Sequence, residues 1–112
     1  NDPYCMFIYS LILRMNKKFD ESNKILNFAL TQSKNKKYLD KYRKINKNWE
    51  SIFNDIRYLL GINYFHINDL NLSIKFLKSH IKNRRRGLES IVKKRIVTKE
   101  LDDIIFLKNH IQ

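Results

Sequence analysis

Glycine, proline, alanine and cysteine are nearly missing from this chain of 112 residues, which has two Gly, one Pro, a lone Ala29 and a lone Cys5. With so few turn-forming residues, a strand-rich fold with a tight turn every few positions is disfavoured and helices are expected. One cysteine rules out an intrachain disulfide and fits a reducing, intracellular compartment, cytoplasm or nucleus. A long apolar run is also missing. The longest, Tyr4 to Leu13, falls well short of the roughly 20 residues a membrane span needs. It has neither the basic leader nor the small-residue cleavage site of a signal peptide. The chain opens on Asn1 rather than Met, as a piece of a longer protein would.

What is present is apolar enough to fold: 43% hydrophobic and 12% aromatic residues, unlike a disordered tail. The length fits one domain. Asn, Lys and Ile are abundant where Ala is scarce, a drift towards AT-rich codons that accounts for part of the lysine excess. The formal charge of +12 nevertheless points to a polyanionic partner. The charge is local. Residues 34–48 carry seven Lys/Arg and one acid, and residues 82–99 carry eight and one, while the rest is balanced.

Periodicity predicts helices throughout. Asp2-Pro3 is a helix start, with Asp as N-cap and Pro in the first turn. Tyr4, Phe7, Ile8, Leu11, Ile12, Met15 and Phe19 then share one face. Met6, Tyr9 and Leu13 widen it, which predicts contact on more than one side. After a turn at residues 16–18, a second helix is expected from Asp20 to Gln32. Residues 33–37 read as a loop. The spacing of Tyr38, Tyr42, Ile45, Trp49, Ile52, Phe53, Ile56, Leu59 and Leu60 predicts one long helix reaching Phe65. Asp69 caps the next, Leu70 to Lys82. Residues 83–87 interrupt the pattern, Leu88, Ile91, Val92 and Ile96 resume it, and Thr98 caps a last short helix. The expected fold is all-α, five to six helices in antiparallel hairpins. It divides into a first hairpin (1–33), a basic insertion (34–48), a second hairpin (49–82) and basic C-terminal helices (83–112).

Gly61, within an apolar helical run, costs about 1 kcal/mol relative to Ala and calls for a close approach. Leu60, Gly61 and Tyr64, the turn at Asn68-Asp69-Leu70, and Ser73, Ile74, Leu77 and Ile81 together resemble a tetratricopeptide repeat over residues 57–81. His80 departs from the pattern, where Ala is usual. A second copy starts 51 residues upstream, with Met6, Tyr9, Ser10, Leu13, Phe19–Ser22, Leu26, Ala29 and Leu30. The resemblance implies a protein-binding scaffold whose first helices line a groove for a peptide or helix. By position Phe7, Leu11, Arg14, Asp55, Tyr58, Ile62 and His66 would face it. The opening residues 2–26 also resemble repeat subunits of the anaphase-promoting complex, which implies a place in a multi-subunit assembly.

A rival lies at residues 77–95. Leu77, Lys78, His80, Arg85, Arg86, Gly87, Leu88, Val92, Lys94 and Arg95 resemble the S-fifteen family of small-subunit ribosomal proteins. That resemblance implies an organellar rRNA-binding protein whose Arg-Arg-Gly-Leu opens a helix on RNA. The loop before it is two residues short and lacks the family's Asp, His and Ser. Independently of family, Arg84, Arg85 and Arg86 with Lys93, Lys94 and Arg95 form a candidate polyanion-binding surface. Tyr38, Tyr42 and Trp49 alternate with lysines and are candidates either for base stacking or, at helical spacing, for core.

Signatures of catalysis are missing. There is no Gly-rich phosphate loop and no cysteine pair. His66, His80 and His110 have no ligand spacing and read as surface or interface residues. No enzyme, cofactor or metal is expected. The leading expectation is a helical-repeat scaffold or adaptor that binds another protein, with rRNA binding as the alternative.

Overall fold

The computed structural model describes residues 2–45, 48–86 and 88–111. These residues are all-α, with no strand among them. The order is α1 (Pro3–Met15), α2 (Phe19–Gln32), α3 (Lys36–Ile45), α4 (Trp49–His66), α5 (Leu70–Lys82) and α6 (Lys94–Ile111). The Asp2 carboxylate accepts from the Tyr4 N–H at 2.7 Å and the Asp69 carboxylate from the Leu72 N–H at 3.1 Å, so both expected caps are made. α1 packs on α2 and α4 on α5. α4 rests on both α1 and α2, and α6 on α5. The molecule measures 46 × 31 × 21 Å. A thickness of 21 Å is about two helix diameters, so the hairpins lie side by side in two layers.

The two hairpins repeat in detail. Lys17 and Asn68, 51 residues apart, are the non-glycine residues at positive φ, 60° and 65°. Each follows a helix whose last turn closes the same way. The Lys18 N–H reaches the Leu13 carbonyl and the Asp69 N–H the Tyr64 carbonyl, both at 2.9 Å. The Lys17 N–H reaches Arg14 at 2.9 Å and the Asn68 N–H reaches Phe65 at 3.0 Å. This is the Schellman closure, which needs a left-handed residue after the helix. One turn into each second helix a serine bonds back across the pair. The Ser22 hydroxyl donates to the Ser10 carbonyl at 2.9 Å, and the Ser73 hydroxyl to the Gly61 carbonyl at 2.7 Å. Ser10, Ser22, Gly61 and Ser73 are all buried.

Two apolar clusters result. The first joins Phe7, Leu26 and Ala29 of the first hairpin to Ile52, Phe53, Ile56, Leu59 and Leu60 of α4, with Tyr42 from α3. The second joins Ile62 and Leu77 to Val97, Leu101 and Ile104 of α6.

Three expected boundaries move. The single helix from Tyr38 to Phe65 is two helices, and α3 already starts at Lys36, inside the expected loop. Asn48 lies in the N-cap position of α4, outside helical geometry (φ −99°, ψ 28°). Asn is a weak helix former because its amide competes for nearby backbone groups. The break lets the stripes of both helices meet one core, where Tyr42 and Trp49 meet Phe53 edge-on at 6.4 and 6.2 Å. These aromatics are therefore packing residues. Finally, Thr98 does not cap a short helix. α6 begins at Lys94, and residues 88–93 are not helical. There the Ser90 hydroxyl and the Ile91 N–H bond to Asp55, and Ser90 Oγ accepts the Val92 N–H, so backbone groups are satisfied outside a helix.

A Cβ on Gly61 would stand 2.6 Å from Leu77 Cδ2 and 3.3 Å from the Leu77 backbone nitrogen. Leu77 is fully buried and has nowhere to go. Gly61→Leu is expected to cost about 2–3 kcal/mol, lowering the melting temperature by on the order of 10 °C; an unchanged melting curve would contradict the close packing. Lys17→Gly acts in the opposite direction. Relieving a left-handed lysine is expected to add about 0.5–1 kcal/mol, read as a higher denaturant midpoint with an unchanged slope.

Candidate partner-binding surface

The seven residues expected to line a groove do not form an open one. Phe7, Asp55 and Ile62 are buried. Phe7 lies in the cluster between the first hairpin and α4, and the C-terminal segment covers the α4 face of Asp55 and Ile62. Asp55 accepts from the Ser90 hydroxyl at 2.7 Å and the Ile91 N–H at 3.3 Å. Ile62 packs among Val97, Leu101 and Ile104. The Tyr58 hydroxyl donates to Glu100 at 2.8 Å, and burial together with that bond pushes its pKa well above the usual value. Leu11 is half-buried against the first cluster. Arg14 Nη2 lies 3.1 Å from His66 Nε2, and the exposed His66 ring stacks on Phe19 at 5.0 Å. Helical phase placed these side chains on one face, but phase does not say which later element covers that face.

The arginine run is likewise divided. Arg84 turns inward, and its Nη1 donates to His80 Nε2 at 3.0 Å and to the Val92 carbonyl at 2.9 Å. Arg85 pairs with Glu50 at 3.1 Å. Arg86 is exposed, and Gly87 lies outside the described residues. Lys93, Lys94 and Arg95 are all exposed at the start of α6. Of the six cations, Arg84 and Arg85 are thus engaged within the chain. The helix that the ribosomal resemblance places directly after Arg-Arg-Gly is not there, since α6 starts at Lys94.

His80, read from the sequence as a surface or interface residue, is fully buried. Its Nδ1 lies 2.7 Å from the Asn54 carbonyl, and the Asn54 amide returns a bond to the His80 carbonyl at 3.1 Å. A guanidinium only donates, so Nε2 accepts from Arg84 and Nδ1 carries the proton. The ring is held neutral. Burial pushes its pKa down, the bond to Asn54 opposes, and the nearby Arg84 charge adds to the fall. His80 thus ties α4, α5 and, through Arg84, the segment before α6.

Five exposed large apolar side chains lie elsewhere, on α1. Tyr4 and Tyr9 are 54% exposed, Ile12 50% and Met15 80%, with Ile8 and Cys5 beside them. The breadth of the apolar pattern in this helix, whose sole charged residue is Arg14, predicted contacts on more than one side. Among the described residues its main contacts are with α2 and α4. The 51-residue repeat gives this surface its meaning. Cys5, Ile8, Tyr9 and Ile12 correspond to Ile56, Leu59, Leu60 and Asn63. Those four are at most 3% exposed, and they seat α4 on the first hairpin, with the Asn63 amide bonding Ser22 Oγ at 2.9 Å. Among the described residues no group of His, Cys, Asp or Glu converges as a metal site, and no helix is long and apolar enough to cross a membrane.

The lowered pKa of His80 gives stability a pH dependence. Below about pH 6.5 the histidine of the unfolded chain takes up a proton that the buried ring resists, so stability falls as pH drops from 7 to 5.5. His66 shifts the same way, held down by partial burial and Arg14. Asp55 has the opposite sign, because burial raises its pKa and its protonation favours the folded chain. The denaturant midpoint is expected to fall across this window, and His80→Gln to flatten the fall; the same slope in both proteins would show that His80 is not held neutral. Comparison of the chain with protein-family models, curated proteins and solved structures finds no match.

Proposed function

We propose that this chain is a module of tetratricopeptide-like helical hairpins that binds another protein, as a scaffold or adaptor within a larger assembly, by seating a partner's helix pair on the outer face of α1. One observation carries this reading. The α1 face is left exposed, while its counterpart on α4, 51 residues on, is buried against a helix pair. The same backbone path, the same last-turn closure and the same serine-to-carbonyl bond recur in both hairpins. A surface built like α4's fits what α4 fits: the ridge of small and apolar side chains that α2 offers through Ser22, Leu26 and Ala29. The fitting partner is therefore a helix pair with small residues at its contact line, not an extended peptide.

The exposed apolar residues Tyr4, Ile8, Tyr9, Ile12 and Met15 form one connected strip, the kind of patch that marks an interaction site. The strip carries no charge, so the partner's matching face is apolar as well, and binding there depends little on salt.

Cys5 is the sole cysteine and stands on this face, which makes it a built-in reporter. In an extract of the cells that make the protein, Cys5 is expected to alkylate at least tenfold more slowly than in the purified chain. Ile8→Lys combined with Ile12→Lys is expected to restore the fast rate while leaving the fold intact, because both side chains already face solvent. Equal rates in extract and in purified protein would defeat the proposal.

A further inference from the structure

Between α2 and α5, beside the start of α4, the surface opens into a cavity of two lobes. One lobe holds about 210 Å³ and the other about 440 Å³. Ser33, Arg57 and Asn83 line both, so Arg57 stands where the lobes join. Lys34 and Lys75 line the larger lobe and Arg85 the smaller.

Arg57 is a half-buried cation with little to balance it. Arg57 Nη1 donates a long bond to Asn54 Oδ1 at 3.3 Å, and among the described residues no carboxylate pairs with it. Burial works against its charge. The fold does not demand a cation here, because the corresponding position in the first hairpin is Met6, which packs as an apolar residue. A guanidinium kept at a costly place that a methionine can fill points to a ligand. The remaining lining agrees. Glu50 is the carboxylate at the cavity, it is already paired with Arg85, and it faces four cations. The polar groups that line the cavity at the helix ends already donate to backbone carbonyls. The Ser33 hydroxyl donates to the Leu30 carbonyl at 2.6 Å and the Asn83 amide to the Ser79 carbonyl at 2.8 Å. These bonds satisfy carbonyls at the negative ends of α2 and α5 and leave the cations as the free donors.

We propose that this cavity binds a small molecule carrying two or more phosphate groups. One phosphate takes the forked donors of Arg57, the geometry in which a guanidinium meets a phosphate. A second takes Lys34 and Lys75 in the larger lobe. A single phosphate would leave one lobe empty, and a nucleic-acid strand would run across the exposed lysines of α6 rather than into a recess.

Tripolyphosphate is the probe, titrated calorimetrically into the full chain at about 150 mM salt, where loose surface attraction is screened. The expected result is one site per chain, with inorganic phosphate binding at least tenfold more weakly. Arg57→Met is expected to weaken tripolyphosphate binding at least tenfold. Lys34→Gln with Lys75→Gln, both exposed and therefore harmless to folding, is expected to do the same. Lys93→Gln, Lys94→Gln and Arg95→Gln together are expected to change nothing. If this last set weakens binding as much as Arg57→Met, or if several ions bind per chain whatever stands at residue 57, the charge acts as a diffuse cloud and the site does not exist.

Discussion

The bond from a serine hydroxyl to a carbonyl of the facing helix sets the spacing of this molecule. It occurs twice, from Ser22 to residue 10 and from Ser73 to residue 61, and each time both partners are small. A hydroxyl can reach a backbone carbonyl on another helix only if the backbones come close, and only small side chains permit that. Gly61 takes the closest place, with the Leu77 side chain filling the space a Cβ would need. From this spacing follow the short turns at residues 16–18 and 67–69, where Lys17 and Asn68 adopt left-handed geometry to let the chain reverse. The flat two-layer shape follows as well, because each hairpin offers its neighbour a shallow ridge.

The departures from strict repetition are where the chain becomes individual. Ala29 in the first hairpin corresponds to His80 in the second. A methyl needs only room, whereas an imidazole buried at that depth needs partners on both nitrogens. Asn54 and Arg84 supply them, and Arg84 in turn holds the Val92 carbonyl. With Ser90 and Ile91 fixed to Asp55, this network lays residues 88–93 across α4 and delivers α6 to α5. The C-terminal segment thereby closes one side of the second hairpin, and the outer face of α1 stays open on the other end. Met6 and Arg57 form another unequal pair. The first is packed and the second is left facing a cavity.

Much of the fold could be read from the sequence because it rests on local rules. Asp2 and Asp69 announced helix starts, the apolar spacing announced helices, and the small residues at 10, 22, 29, 61 and 73 announced close helix contacts. The helix break at Asn48 was hidden because the Tyr38–Leu60 stripe keeps its phase across it, and phase alone does not report a change of direction. The non-helical path of residues 88–93 was hidden because it depends on Asp55, about 35 residues upstream, accepting bonds from Ser90 and Ile91. The candidate groove failed for the same kind of reason. Asp55, Tyr58 and Ile62 do share a face of α4, and residues 88–111 cover it.

The sequence by itself determined the all-α class, the two hairpins with their offset of 51 residues, the caps and the close contact at Gly61, because each depends on residues a few positions apart on one helix or turn. It also fixed the two basic blocks. Only the tertiary structure decided which surfaces remain free. It turned Arg84 inward to a buried histidine, paired Arg85 with Glu50, covered the α4 face and left α1's open. Exposure is a property of everything packed around a residue. The burial of His80 by a network of α4, α5 and the following loop, and the exposure of Ile8 and Ile12, are set by how distant parts of the chain pack, which no local pattern encodes.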